Sequence, residues 1–361
     1  LYYCYLICYQ NENILIFYKA IMILITGAGG FIGGHLCKYF INQNIKVRAV
    51  DIKPYNEWYQ IHSEAENISM DLKEYDNCYK ALLDIDEIYN LACDMGGMGF
   101  IENNKALCMF SVLINTNLLL SIKNYNIANI SKKITRYFYS SSACVYNAEK
   151  QLTPDLIALK EEDAYPALPE DGYGWEKLFS ERMCKNFMDD FGLECRVARF
   201  HNVYGPLGTY DGGREKAPAA ICRKIINAKN DSINEIEVWG DGHQTRSFMF
   251  IDDCIAGIIK IMNSDIRVPV NLGSDELVSI NQLIDYVSKI AEYETVKKYN
   301  LDAPKGVRGR NSDNTFIYEQ LSWQPSITLI DGLKITYEWI ESQMNGDGDQ
   351  RIAFIKGGNA G

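Results

Sequence analysis

The stretch Ile21-Met22-Ile23-Leu24-Ile25-Thr26-Gly27-Ala28-Gly29-Gly30-Phe31-Ile32-Gly33 decides the fold. Its first five residues form a buried β-strand run, and beyond the glycines a helical pattern runs from His35 to Asn42. Strand, glycine turn and helix stand in the order that a phosphate cradle needs. Gly27 permits the tight turn, Gly30 lets the backbone approach a pyrophosphate, and Gly33 lets the helix pack on the strand. An ordinary strand-to-helix turn can carry the same glycines, so the reading depends on the strands and helices downstream of it.

The next strand, Lys46-Val47-Arg48-Ala49-Val50, ends at Asp51, where an acid accepts both hydroxyls of an adenosine ribose. A carboxylate there favours NAD over NADP, whose added phosphate it repels. Asp71-Leu72 ends a further segment and can meet the adenine amino group. After Glu87-Ile88-Tyr89, the run Asn90-Leu91-Ala92-Cys93 closes a fourth strand with small residues that leave room for a cofactor. Dinucleotide contacts are thereby placed on Gly27, Gly30, Phe31, Ile32, Gly33, Asp51, Asp71, Leu72, Leu91 and Ala92 and, further along the chain, on Tyr173 and Lys177.

Alternation continues with an apolar helix over about Ser111 to Tyr125, a strand Tyr137 to Ser140, a helix carrying Tyr173 and Lys177, and a strand Glu194 to Arg199. That order predicts an α/β fold: a Rossmann-type doubly wound parallel sheet over 21–204, with later segments returning to it. Glycine and charge content rise past Gly205, and residues 205–345 read mainly as a smaller C-terminal α/β lobe for substrate. Residues 1–20 are apolar but broken by Gln10, Asn11, Glu12 and Asn13, too short in each run to span a bilayer. They read as an extension of unclear status, and 346–361 as a disordered tail.

The 361 residues, 47% of them hydrophobic, bury a large core. A formal net charge of -11 argues against a nucleic-acid partner, because phosphate backbones are met by basic surfaces. A small anionic ligand needs only a local cationic pocket. Eleven cysteines are scattered singly, without a C-x-x-C pair or a Cys/His cluster at metal spacing. The expectation is therefore reduced thiols, no metal, no membrane span and a cytoplasmic protein.

Tyr173 and Lys177 lie four apart and share one helix face. An ammonium beside a phenol lowers the phenol's pKa, so Tyr173 can act as a base toward a hydroxyl that Ser142 also bonds. Taken alone, Y-x-x-x-K is a common surface pairing; with the glycine turn, Asp51 and the run Ser140-Ser141-Ser142 it predicts a hydride-transfer site. Cys144 is either a small buried apolar residue beside that site or a base for carbon-bound protons, its field supplied by Lys216, Arg246 or a bound nicotinamide. Lys216 is either a solvated loop lysine or the group that delivers a proton from the opposite face.

Several stretches carry a more specific likeness: Met95-Gly96-Gly97-Met98-Gly99-Phe100, Ser141-Ser142-Ala143-Cys144, Gly213-Arg214-Glu215-Lys216-Ala217-Pro218, Trp239-Gly240-Asp241-Gly242 and Gln244-Thr245-Arg246-Ser247-Phe248. To these is added Gly306-Val307-Arg308-Gly309-Arg310-Asn311-Ser312-Asp313-Asn314. From about Ile21 to Glu341 the chain resembles the GDP-mannose 3,5-epimerases, extended short-chain dehydrogenase/reductases that act on nucleotide sugars. The G-x-x-G-x-x-G spacing is shared across that superfamily. The resemblance implies bound NAD, GDP-mannose as substrate and a homodimer. It implies a cycle in which Tyr173 takes the C4 hydroxyl proton while hydride passes to NAD. The 4-keto sugar has acidified hydrogens at C3 and C5, and Cys144 and Lys216 invert each centre. GDP-L-galactose is the implied product, with GDP-L-gulose from inversion at C5 alone.

The same resemblance implies substrate contacts at Gly99, Ser142, Ala143, Cys144, Asn202, Glu215, Lys216, Ala217, Lys224, Gln244, Thr245, Arg246 and Arg308. Arg246 and Arg308 can pair a diphosphate in bidentate fashion, although surface salt bridging would employ the same residues. Asn202 follows a strand's carboxyl end, where ligands bind in such sheets. Asn147 and Ala148 depart from the family pattern, and the runs Asn129 to Lys133 and Asn227 to Asn234 look like small insertions. The other readings are a nucleotide-sugar 4-epimerase, a 4,6-dehydratase and a nucleotide-binding protein without turnover.

Overall fold

The computed structural model describes residues 5–10, 13–18, 21–155, 158–303 and 306–346. Seven parallel strands form its main sheet in the order Val270–Leu272, Glu194–Phe200, Arg136–Ser142, Glu87–Asn90, Met22–Thr26, Lys46–Asp51, Glu66–Ser69. The chain builds outward from Met22–Thr26 through two strands, then returns to its other side for the remaining four. That reversal opens a crevice at the carboxyl ends of the strands, and the glycine turn sits beside it.

Successive strand residues face opposite sides of the sheet, and both sides are covered. Leu24, Ile88, Tyr137 and Tyr139 pack with Leu118, Ile122, Cys184 and Met188, from the helices Ser111–Ala128 and Gly172–Phe191. Ile23, Ile25 and Phe138 share the other core with Leu36 and Phe40 of Phe31–Asn42 and with Ile255 and Ile258 of Ile251–Met262. Helices on both faces make this the doubly wound sheet that the alternation predicted. The first helix begins four residues earlier than its apolar pattern, because Gly33 and Gly34 contribute no apolar signal to that turn.

Past Tyr204 the chain forms three helices that pack on one another, Ala217–Asn230, Ile280–Ile290 and Leu329–Met344. A parallel pair Glu235–Trp239 and Val296–Asn300 flanks them. The strand Thr245–Phe250 joins Leu277–Ser279, Gly309–Arg310 and Asn202–Tyr204, with Arg246 opposite Arg310. The strand Val270–Leu272 and the helix Ile251–Met262 meanwhile pack on the main sheet, so the later chain serves both parts. In the N-terminal stretch, Tyr5–Gln10 and Asn13–Tyr18 pair antiparallel. Residues 347–361, most of the expected tail, lie outside the described residues.

Candidate active site

A cleft of about 1890 Å3 runs along the carboxyl edge of the sheet and under the second set of helices. At one end the turn Gly27 to Gly33 meets Asp51, Asp71, Leu72, Leu91 and Ala92, all lining the same space. A β-carbon on Gly33 would lie 2.2 Å from the Gly27 carbonyl oxygen, so any side chain there pushes the helix off the turn. The helix Phe31–Asn42 starts at Gly30 with no side-chain cap and no acid in its first turn, which leaves its leading N–H groups for an anion. Asp51 is buried, takes the Lys53 backbone N–H at 3.0 Å, and is pushed above the usual carboxylate range by burial. This cradle fits a dinucleotide: the pyrophosphate over the turn and the ribose hydroxyls at Asp51.

Tyr173 is the second residue of the helix Gly172–Phe191, whose first N–H groups are capped by Asp171. The helix runs hard against the turn that holds Cys144, since a β-carbon on Gly174 would stand 2.2 Å from the Cys144 carbonyl oxygen. Ser142 bonds the Tyr173 hydroxyl and also accepts the Cys144 N–H at 3.2 Å, which joins the three residues. Lys177 lies behind the cleft wall, 1% exposed, with its ammonium 5.6 Å from the Tyr173 ring centre and 3.7 Å from Glu176 Oε2. Tyr139 and Ser180 hold the other oxygen of Glu176 at 3.0 and 2.9 Å.

The Y-x-x-x-K spacing predicts that Lys177 lowers the Tyr173 phenol. Instead, burial pushes this phenol well above its ordinary value, and the Ser142 hydrogen bond opposes that rise. The ammonium is turned toward Glu176 and Cys93, whose negative charge and hydrogen bonds raise it against the effect of burial.

Cys144 sits in the short turn Ala143–Val145 at the end of the strand Arg136–Ser142, 7% exposed. Arg310 donates Nη1–H to its sulfur at 3.4 Å, while Nε reaches Gln151 Oε1 at 2.7 Å and Nη2 reaches Glu170 Oε2 at 3.0 Å. Lys216 enters the same part of the cleft from the start of the helix Ala217–Asn230, its ammonium lowered by burial. A lysine so lowered gives up a proton more readily near neutral pH. Arg246 also lines this end, and burial together with Arg310 brings its guanidinium down to about 10.

Gly99, Asn202, Glu215, Ala217, Lys224 and Gln244 all line the cleft, with Ser142, Ala143, Cys144, Lys216 and Arg246. Thr245 and Arg308 stand away from it: the Thr245 hydroxyl bonds the Pro154 carbonyl at 2.6 Å, and Arg308 bonds Asp241 at 3.0 Å. The guanidinium that the sequence assigned to Arg308 is supplied within the cleft by Arg310, two residues on. Both lie in the singled-out run Gly306 to Asn314; Arg310 stands opposite Arg246 in the sheet, whereas Arg308 is engaged by Asp241. Among the described residues no His, Cys, Asp and Glu cluster is arranged to hold a metal ion.

A dinucleotide cradle leading to a Ser, Tyr and Lys centre, with a thiol and an amine beyond it, is a site for oxidising a hydroxyl and moving protons next to it. The chain belongs to the NAD dependent epimerase/dehydratase family, whose signature spans residues 23–273. It is 46% identical over 334 residues to GDP-mannose 3,5-epimerase 1 of Oryza sativa subsp. indica, covering 92% of this chain and 85% of that protein. The GDP-mannose 3,5-epimerase of Arabidopsis thaliana is likewise 46% identical over 322 residues, 89% of this chain and 82% of that protein. Among solved structures, the UDP-glucose 4-epimerase of Thermotoga maritima shares the fold at a TM-score of 0.79 and 22% identity, over 90% of this chain and 100% of that one.

Proposed function

We propose that the chain inverts C3 and C5 of GDP-D-mannose to give GDP-L-galactose, with GDP-L-gulose as the product of inversion at C5 alone. One observation carries the reading: beyond the Tyr173 centre, Cys144 and Lys216 share the far end of the cleft with Arg310. Oxidation and reduction at C4 need neither of them, whereas inversion at the neighbouring carbons needs one group to take a proton and another to return it. The relatives named as GDP-mannose 3,5-epimerases, matching over most of the chain, support the same substrate.

Bound NAD supplies a reversible hydride acceptor for C4. Ser142 and Tyr173 hold the C4 hydroxyl, and Tyr173 takes its proton. The resulting C4 carbonyl acidifies the hydrogens at C3 and C5. Cys144 removes a proton on one side and Lys216 returns one on the other, while Arg246 and Arg310 hold the diphosphate and fix the sugar against the thiol. Incubation with GDP-mannose in deuterated water tests this directly. Deuterium is expected at both C3 and C5 with no net cofactor use; active protein that leaves both carbons unlabelled is a 4-epimerase and not a 3,5-epimerase.

We further propose a homodimer. The run Lys105–Ala128 is apolar and long enough, by composition alone, to cross a membrane, yet it packs on Tyr75–Ala81 and Gly172–Phe191. Leu113 and Leu120 on one of these helices and Trp175 and Phe179 on its neighbour are 38–55% exposed. Exposed apolar residues on two adjacent helices support burial against a second copy better than burial in lipid. Leu113→Glu with Phe179→Glu is expected to halve the mass measured by light scattering; an unchanged mass removes this face as the interface. The acidic charge balance supports a chain without a nucleic-acid partner. Nine cysteines, from Cys37 to Cys254, are free thiols, which supports a reducing, cytoplasmic setting.

A further inference from the structure

Behind the cleft lies a buried polar chain that the proposed chemistry does not use. Glu181 follows Tyr173 by eight residues and Lys177 by four, so it continues the same face of the helix Gly172–Phe191. Arg199, from the strand Glu194–Phe200, grips it as a fork, Nε to Oε1 at 2.9 Å and Nη2 to Oε2 at 2.7 Å. The Ser141 hydroxyl donates to the same Oε1, and Ser141, Glu181 and Arg199 are each at most 4% exposed. Arg199 Nη1 reaches on to the Glu161 carbonyl at 2.6 Å and the Tyr146 hydroxyl at 3.4 Å. Tyr146 donates to Asn271 Oδ1, and Asn271 Nδ2 donates to the carbonyls of Leu159 and Asp313 at 2.8 and 3.1 Å.

This chain joins the segments that present the reacting groups. Ser141 precedes Ser142, Tyr146 follows Cys144 by two residues, Glu181 shares a helix with Tyr173, and Asp313 follows Arg310 by three. A buried ion pair adds little net stability over apolar residues of the same size, so packing alone gives no reason for charges here. Its fork geometry, in contrast, fixes two elements in one register. We propose that Glu181 and Arg199 are positioning residues: through Ser141 and Tyr146 they set the strand end carrying Ser142 and Cys144 against the helix carrying Tyr173, so that oxidation and proton transfer address one sugar. This rests on the epimerase reading above.

The test replaces both charges at once. The NAD-loaded Glu181→Leu/Arg199→Met variant is expected to melt at or above the wild-type temperature, with KM for GDP-mannose little changed. Its kcat and its deuterium exchange at C3 and C5 fall together by about 100-fold, the scale of a 1 Å misplacement. Arg199→Lys, which keeps the charge and loses the fork, is expected to fall between the two. A pair with only a structural role would move the melting temperature and spare kcat. A folded double variant with wild-type kcat therefore overturns the proposal. If that variant does not fold, Ser141→Ala decides: it removes the tie between strand and carboxylate while leaving the ion pair, and wild-type kcat in it is equally fatal. Wild-type protein run alongside separates the two claims, since absence of exchange there rejects the epimerase reading itself.

Discussion

Tyr173→Phe is expected to leave bound NAD oxidised when GDP-mannose is added, with turnover reduced by roughly 10²–10⁴-fold, the range that one positioned proton acceptor supplies. The substitution removes one hydroxyl from a side chain that is 4% exposed and packed with Ile101, Cys108 and Cys144, so the melting temperature is expected to hold. Substrate still binds, because Arg246 and Arg310 hold its diphosphate without help from the Tyr173 hydroxyl. The pH dependence has a definite sign. Burial raises this phenol, and a base works only when deprotonated, so nicotinamide reduction in the wild type accelerates as pH rises. Stopped-flow absorbance of the nicotinamide reads both effects, and wild-type reduction in Tyr173→Phe would remove the tyrosine from the mechanism.

Cys144→Ala separates the two halves of the chemistry. Nicotinamide reduction by GDP-mannose is expected to persist in it, whereas solvent deuterium at C3 and C5 falls by roughly 10²–10⁴-fold. The fold has reason to survive, since Arg310 keeps Gln151 at 2.7 Å and Glu170 at 3.0 Å when the sulfur is gone. The small lost volume lies at the edge of the cleft and not within the sheet. Mass spectrometry of the recovered nucleotide sugars gives the label, and magnetic resonance gives its position. Epimerisation at the wild-type rate would return Cys144 to the packing role that most buried cysteines have.

The parts of the site legible in the sequence are those that spacing defines. The glycine turn, Asp51 at a strand end and the Tyr173 and Lys177 pair each follow from a local period, and the structure gathers the turn, Asp51 and Tyr173 along one cleft, with Lys177 behind its wall. Arg310 was not legible. Arg308 and Arg310 offer the same chemistry two residues apart in an irregular segment, and partners more than sixty residues away distinguish them: Arg246 opposite Arg310 and Asp241 bonded to Arg308. The orientation of Lys177 was hidden for a similar reason: neighbours such as Glu176 do not ordinarily face each other on a helix, and here the two ends meet at 3.7 Å in a buried pocket. The return of Val270–Leu272 to the main sheet is likewise a long-range event, with three apolar or amide residues as its entire local trace.

Lys216, Arg246 and Arg310 gather at one end of a cleft in a chain of formal net charge -11. A nucleotide sugar with a doubly negative diphosphate therefore approaches through a repulsive outer field and is captured only within a few ångströms of the guanidinium groups. Salt acts on these two ranges differently: at about 0.15 M it screens charges beyond about 8 Å but reaches buried ones weakly. Moderate ionic strength thus lowers the outer barrier and leaves the inner hold largely intact. For this molecule, encounter and retention respond to the medium in different ways, and a cell's ordinary salt content favours the first without sacrificing the second.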